Sequence, residues 1–272
     1  MTSDGEASKI IAIAQRSNID LLDTSSAYGE SEKRIGDLLD TDHGFSIVTK
    51  TPEFKSKEIG PEHEAELRAA FARSLERLKQ KRVYGFLLHH ADDLLAPGGE
   101  RLMAAMSEFQ SQGLVQKLGV SIYRQSQLTQ VLSRFAVDIV QIPLSVLDQR
   151  LLRSGAIDML NRSHIEIHAR SAFLQGALLM KPDEIPSHLA AIRPQVSDFH
   201  RSCERGGISP IAAALAFMRG VPVDRVVVGV TSSAEFTEIM SAWSQDGKLN
   251  GGYERFAVDD EDLVDPSRWS RQ

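Results

Sequence analysis

The feature that most constrains the fold is a regular alternation of short apolar segments with segments of helical periodicity. Between residues 62 and 80, apolar side chains recur at helical spacing at Leu67, Phe71, Leu75 and Leu78. The segments between such helices are rich in Val, Ile and Leu over much of their length, which is typical of parallel strands covered by helices on both faces. The alternation therefore predicts an α/β fold built on a parallel sheet.

Seven strands are predicted, over residues 19–24, 45–50, 83–90, 116–121, 137–143, 165–172 and 225–230. This many βα units in a chain of 272 residues favours closure into a (β/α)8 TIM barrel, which typically needs ~250 residues. An open doubly wound sheet is the alternative, but no G-x-G-x-x-G motif opens a helix after any strand. We predict one domain over residues 1–272, with the tail at 245–272 folded over the barrel.

Helices are predicted between these strands. The first is capped by Ser3 or Asp4 and runs to about Ser17, and the second is capped by Ser31. Further helices are expected at 62–80, 100–112, 125–134, 148–161, within 186–220, and at 233–243.

Charge and cysteine content exclude several classes of protein. Lys and Arg number 31 against 37 Asp and Glu, a net charge of −6, and no block of like charge suggests a nucleic-acid partner. The single cysteine, Cys203, has no partner for an internal disulfide and no activating cation beside it in the sequence, so we interpret it as inert.

No apolar run reaches the length of a membrane span and no signal peptide precedes the first helix, which predicts a cytoplasmic protein.

Polar side chains gather at the ends of the predicted strands. Asp23 ends the first strand and Tyr28 follows it, Lys50 ends the second, and His89 and His90 end the third. In a parallel barrel the carboxyl ends of the strands meet on one face, where active sites are built. Four ionisable residue types on three successive strands favour a functional site over packing, because each side chain is costly to bury unpaired.

This set of side chains suits protonation of an oxygen while a hydride reaches the adjacent carbon. A phenol with an ordinary pKa near ~10 is a poor acid at neutral pH unless a cation stabilises the phenolate. Lys50 supplies such a cation, Asp23 keeps that cation charged, and the imidazole of His89 can hydrogen-bond a carbonyl oxygen.

The segment around these residues resembles the aldo-keto reductases. The pattern D-T-x-x-x-Y-G-x-S-E is carried by Asp23, Thr24, Tyr28, Gly29, Ser31 and Glu32. The resemblance runs over nearly the whole chain. It implies a catalytic tetrad of Asp23, Tyr28, Lys50 and His89, and an oxidoreductase that transfers a hydride between NADPH or NADH and an aldehyde, ketone or alcohol, with no metal. The resemblance also favours His89 over His90, because the family's histidine directly follows the apolar strand.

The resemblance also implies cofactor-binding positions. Ser121 and Gln141 are expected to hold the nicotinamide carboxamide, while Ile122 stands where the family has Asn. Arg170 takes the place of the family's stacking aromatic residue; a rim salt bridge is an equally good interpretation of this arginine. The segment from Gly229 through Thr231, Ser232, Ser233 and Glu235 opens the last helix, and Ser232 and Glu235 have the spacing of a capping box.

The adenosine end of the cofactor site departs from the family pattern. Thr231 occupies the position of a basic residue that pairs with the 2′-phosphate of NADPH, and Ile239 replaces an Asn that contacts adenine. We therefore expect discrimination between NADPH and NADH below about 100-fold. A different function, a non-catalytic barrel that binds the dinucleotide as a sensor or regulatory subunit, is the alternative. The substrate stays open because loops determine specificity.

The N-terminal segment is short for this family. A family barrel opens with a strand and a loop before its first helix, whereas only MTSDGE precedes that helix here. Seven strands would leave backbone groups exposed beside the first and last of them. We expect a start upstream of Met1, in preference to a shortened protein with a partly open barrel and impaired cofactor binding.

Overall fold

The computed structural model of the protein describes residues 2–40 and 43–269. The chain divides into two compact units. Unit 1 comprises residues 1–141, 164–166 and 231–233, and unit 2 comprises residues 142–163, 167–230 and 234–272. Residues 1, 41, 42 and 270–272 lie outside the described part of the chain.

The described residues form seven strands that alternate with α-helices. The elements are α1 Asp4–Arg16, β1 Leu21–Asp23, α2 Ser31–Leu38, β2 Ser46–Lys50, α3 Pro61–Leu78, β3 Val83–Leu88, α4 Ala91–Leu95, α5 Glu100–Ser111, β4 Val115–Ser121, α6 Gln125–Arg134, β5 Ile139–Pro143, α7 Arg150–Arg153, α8 Ala156–Arg162, β6 Glu166–Arg170, α9 Arg193–Gly206, α10 Pro210–Arg219, β7 Arg225–Val226, α11 Ser233–Trp243 and α12 Glu261–Val264. Short 3₁₀ helices lie at Ser187–Ile192, Glu254–Phe256 and Pro266–Arg268. The strands follow chain order, from β1 to β7. The prediction of a parallel α/β barrel fold with seven visible strands is confirmed.

In unit 1, β1 to β5 are parallel neighbours. Asp23 lies opposite Val48, and Lys50 lies opposite Leu87. Val48 of β2, Leu87 of β3 and Ile139 of β5 are buried in one apolar cluster. This register brings the carboxyl ends of β1, β2 and β3 to one edge of the unit, as parallel pairing requires.

Aromatic packing attaches the helices of unit 1 to its strands. Phe71 of α3 lies 4.5 Å from both Phe86 of β3 and Phe109 of α5, measured between ring centroids. All three side chains are almost fully buried. Burial of a large aromatic side chain stabilises a fold by roughly 1.5–3 kcal/mol, so this trio is a main anchor of α3 and α5.

Unit 2 has its own apolar core between α10 and α11. Ala212 and Leu215 of α10 pack with Ile239 and Ala242 of α11. Ile239, which departs from the family pattern, is therefore a core residue of unit 2. The tail belongs to this unit: Phe256 packs 5.5 Å from Phe199, and Val258 donates its backbone N–H to Leu147. Residues 270–272 of the predicted tail lie outside the described residues.

Several predicted element boundaries are wrong. β7 is only two residues long, where a strand over 225–230 was expected, although Val227 donates one more backbone hydrogen bond to Ala169. The predicted helix over 148–161 is divided into α7 and α8 because Gly155 takes a left-handed conformation, with φ of 77°. The N-cap of α2 is Glu30 rather than Ser31, whose hydroxyl accepts a hydrogen bond from Thr24. The cap of α1 by Ser3 is confirmed.

Cys203 is buried in α9, and burial together with the nearby charge of Glu204 raises the pKa of its thiol to about 11. Because the thiolate is the reactive form, we expect the native protein to react with a disulfide reagent at pH 8 at least about 100-fold more slowly than the urea-unfolded chain. Absorbance of the released thiolate measures both rates, and Cys203→Ser is the blank. Rapid labelling of the native protein would contradict the interpretation of Cys203 as inert.

Candidate active site

The ends of β1 and β2 carry a buried ion pair. The Lys50 ammonium donates hydrogen bonds to the Asp23 carboxylate and, at 2.9 Å, to the backbone carbonyl of Thr24. The Lys50 side chain is 0% exposed and that of Asp23 is 8% exposed. A buried charge of this kind is tolerated only when it is paired and hydrogen-bonded, and the Asp23 carboxylate and the Thr24 carbonyl supply these contacts to Lys50.

Gln141, at the end of β5, extends this pair. Its Nε2 donates to Oδ2 of Asp23 at 2.8 Å, so the two carboxylate oxygens have different donors. On the neighbouring strand, Ser121 lies opposite Gln141 in the register, and both side chains are buried. Sequence reasoning anticipated Gln141 as a cofactor contact but not its hydrogen bond to Asp23.

Tyr28 lies in the turn that follows β1. Tyr28 is 49% exposed. The other large hydrophobic residues in the described part of the chain are buried or half-buried. The ammonium of Lys50 is 5.2 Å from the centroid of the Tyr28 ring. The turn then continues through Gly29, whose φ of 58° is a conformation that glycine adopts without strain. A solvent-accessible phenol is thus held next to a buried cation.

His89 follows β3 and faces the same turn. The rings of His89 and Tyr28 meet edge to face, with centroids 5.7 Å apart and planes at 82°. Nδ1 of His89 is 3.2 Å from the hydroxyl of Ser25, and its backbone N–H donates to the Thr51 hydroxyl at 3.1 Å. The structure therefore brings together Asp23, Tyr28, Lys50 and His89, the four residues predicted to be catalytic.

A carboxylate that the sequence did not reveal lies beside His89. Oε1 of Glu53 is 4.0 Å from Nδ1 of His89, and Oε2 is 2.6 Å from the ammonium of Lys55. Partial burial alone would raise the pKa of Glu53, but the hydrogen bond from Lys55 and the positive charges around it outweigh burial and lower this pKa. Glu53 is therefore an anion at the His89 side of the site.

The first turn of α11 also holds a carboxylate. Oε2 of Glu6, from α1, accepts hydrogen bonds of 2.9 Å from both the backbone N–H and the hydroxyl of Ser233. The pKa of Glu6 is lowered to about 2, first by its hydrogen bond from Lys9 and then by those from Ser233. Thr2 donates to the backbone carbonyl of Thr231 at 3.2 Å. The predicted phosphate-binding turn therefore already binds an anionic side chain.

The remaining predicted cofactor residues are divided between the two units. Thr231, Ser232 and Ser233 belong to unit 1, with the tetrad, whereas Arg170, Gly229 and Glu235 belong to unit 2. Arg170 donates to the hydroxyl of Ser171 at 3.3 Å. Ile122 is fully buried and donates its backbone N–H to the carbonyl of Gln141. The roles of these residues in cofactor binding stay predictions.

Four residues of the site were missed by sequence reasoning: Glu6, Ser25, Thr51 and Glu53. Ser25 and Thr51 carried a signal, because each directly follows a predicted strand end, two residues after Asp23 and one after Lys50. Glu6 and Glu53 carried none, because glutamates in a helix and in a polar loop are ordinarily solvated.

Across residues 2–40 and 43–269, no group of three His, Cys, Asp or Glu side chains is arranged to bind a metal ion. Within the same residues, every helix is too short or too polar to cross a membrane.

Comparison with known proteins identifies the family. A sequence model described as the Aldo/keto reductase family matches residues 1–248. Among solved structures, an aldo-keto reductase from Bacillus halodurans in its holo form is 18% identical, with a TM-score of 0.76 over 94% of this chain and 87% of that chain. Its apo form gives 18% identity and a TM-score of 0.73 over 94% and 86%. No curated protein matches the chain. These two structures show the shared fold, and the family match over most of the sequence shows that the chain belongs to the aldo/keto reductase family.

Proposed function

We propose that this oxidoreductase of the aldo/keto reductase family transfers a hydride between NADPH or NADH and a small aldehyde, ketone or alcohol in the cytoplasm. The observation that carries the proposal is the contact of Lys50 with both the Asp23 carboxylate and the Tyr28 ring, next to His89. A phenol, a cation and an imidazole are thereby grouped within one unit. This combination suits reduction of a carbonyl, because a proton must reach the oxygen as the carbon is reduced.

Tyr28 is the proton donor in this proposal. Its phenol is accessible to a substrate, and the Lys50 cation 5.2 Å from the ring centroid stabilises the phenolate that remains after proton transfer. Asp23 keeps Lys50 in place through the buried ion pair. In the direction of alcohol oxidation the same phenolate accepts the proton.

His89 orients the substrate oxygen. Ser25 lies at the Nδ1 side of its ring, so we assign Nε2 as the nitrogen that donates to the carbonyl oxygen. The rings of Tyr28 and His89 meet edge to face, and this proximity supports donation from both side chains to one substrate oxygen.

The residues near the tetrad fit a nicotinamide. Ser121 supplies a hydroxyl and Gln141 an amide oxygen on neighbouring strand ends, a donor and an acceptor that match a carboxamide. The cofactor, when bound, supplies the hydride that none of these side chains carries. At the adenosine end the fit is poorer for NADPH, because Glu6 places a negative charge at Ser233.

The test measures turnover of a panel of carbonyl compounds that includes nitrobenzaldehyde. Turnover is monitored as the loss of NADPH or NADH absorbance. Oxidation of either cofactor that depends on the aldehyde supports the enzyme. Binding of the dinucleotide by fluorescence titration without turnover of any panel member would favour the alternative, a non-catalytic barrel that acts as a sensor or regulatory subunit.

Cofactor discrimination gives a separate prediction. A phosphate near Ser233 meets the like charge of Glu6, so we expect Glu6→Gln to improve binding of NADPH relative to NADH by about 2- to 5-fold, the usual range for a charge at a helix terminus. Protein fluorescence titrated with each cofactor gives the ratio of dissociation constants. Glu66→Gln, at an exposed glutamate of α3, is the matched control and should leave the ratio unchanged. An unaltered ratio in Glu6→Gln would place the cofactor's 2′-phosphate away from this turn.

A further inference from the structure

The loop after β2 is fixed to the segment that follows His89. The carboxylate of Asp93, in α4, accepts hydrogen bonds from the backbone N–H groups of Phe54 at 3.0 Å and Lys55 at 2.8 Å. Asp93 is almost fully buried. Since α4 begins two residues after His89, this clamp fixes the position of the loop relative to the imidazole.

Glu53 is the residue of this loop that approaches the imidazole. One carboxylate oxygen is 4.0 Å from Nδ1 of His89, and the other is paired with Lys55 at 2.6 Å. The side chains of Glu53 and His89 are 31% and 15% exposed, so solvent screens their interaction only in part. At such a distance a carboxylate favours the protonated form of a histidine.

The other charged groups around His89 have identifiable positions. The ring of Tyr28, from the turn after β1, packs edge to face with that of His89, and Lys50 lies against the Tyr28 ring in its ion pair with Asp23. Glu53 and its partner Lys55 belong to the loop after β2. His90 directly follows His89 in the chain. Lys50 is neutralised by Asp23, so Glu53 is the anion whose charge acts on the imidazole from this loop, with Lys55 opposing it.

We propose that Glu53 is a positioning residue that holds His89 and favours its imidazolium form, and so sets the pH range in which His89 donates to a substrate oxygen. This inference rests on the proposed function for its catalytic meaning, but the Glu53–His89 contact can be tested without turnover. A charged donor forms a stronger hydrogen bond than a neutral one, so loss of the Glu53 charge weakens the hold on the substrate oxygen as pH rises.

The direct test is an NMR titration of the histidine ring protons, with the His89 signal assigned by its loss in His89→Gln. We expect Glu53→Gln to lower the pKa of His89 by about 0.5 to 1 pH unit, since a carboxylate at this distance has moderate effect. Lys55→Gln should raise this pKa, because it removes the opposing charge. Glu58→Gln, an exposed glutamate of the same loop, should leave it unchanged.

The proposal also predicts that Glu53→Gln and Lys55→Gln shift the pH dependence of activity in opposite directions. The value of kcat/KM for aldehyde reduction should decline as pH rises. The midpoint of this decline should move to lower pH in Glu53→Gln and to higher pH in Lys55→Gln, each by the shift in the His89 pKa that NMR measures. A His89 pKa that is unchanged in Glu53→Gln, or shifted in the same direction by both variants, would overturn the proposal. Because the titration needs no turnover, an inactive wild-type protein would refute the proposed function and leave the test of the contact intact.

Discussion

Tyr28→Phe is expected to lower kcat/KM for aldehyde reduction by about 10²- to 10⁴-fold, the usual contribution of a positioned general acid. The hydroxyl belongs to an exposed side chain, so its removal should leave the thermal midpoint and the dissociation constant of the cofactor nearly unchanged. Steady-state rates with NADPH and NADH, together with fluorescence titration, separate these quantities.

Tyr84→Phe is the matched control for this variant. Tyr84 also belongs to unit 1, but it lies at the start of β3, and its hydroxyl donates to Glu166 at 2.6 Å. Its phenol is separated from His89 by the length of the strand, so we expect activity within about 2-fold of wild type. Equal turnover by Tyr28→Phe and the wild-type protein would remove Tyr28 from the mechanism and favour another proton donor.

Lys50→Met is expected to destabilise the protein by about 3–5 kcal/mol and to abolish measurable turnover. The ammonium of Lys50 is the partner of a nearly buried carboxylate, so its removal leaves the Asp23 charge without compensation. The Thr24 carbonyl also loses a donor. Urea unfolding of the variant and of the wild-type protein measures the difference in free energy.

Two further variants test the cause of this loss. Lys33→Met removes a lysine that pairs with Asp37 at 3.7 Å on the surface, where both side chains are well exposed, and should change stability by less than about 0.5 kcal/mol. Adding Asp23→Asn to Lys50→Met should recover part of the stability, because no unpaired charge then remains buried. A Lys50→Met protein as stable as the Lys33→Met protein would show that the ion pair is solvated rather than buried.

Sequence pattern was sufficient to predict the fold class and the grouping of the tetrad. Seven apolar strands separated by helices favour parallel pairing, and parallel pairing brings every strand's carboxyl end to the same edge. Asp23, Lys50 and His89 each end or directly follow such a strand, so their proximity follows from their positions in the chain. The family motif added Tyr28, and the structure places its ring beside Lys50.

Only the tertiary structure decided which polar side chains lie next to one another away from the strand ends. The contact between Glu6 and Ser233 joins residues 227 positions apart, and the approach of Glu53 to His89 depends on a loop fixed by Asp93. Neither has a local pattern, because a single charged side chain in a helix or loop has the same sequence signature whether it is solvated or engaged. Strand periodicity predicts where backbones pair, whereas the direction of a surface carboxylate is determined by the packing of the elements around it.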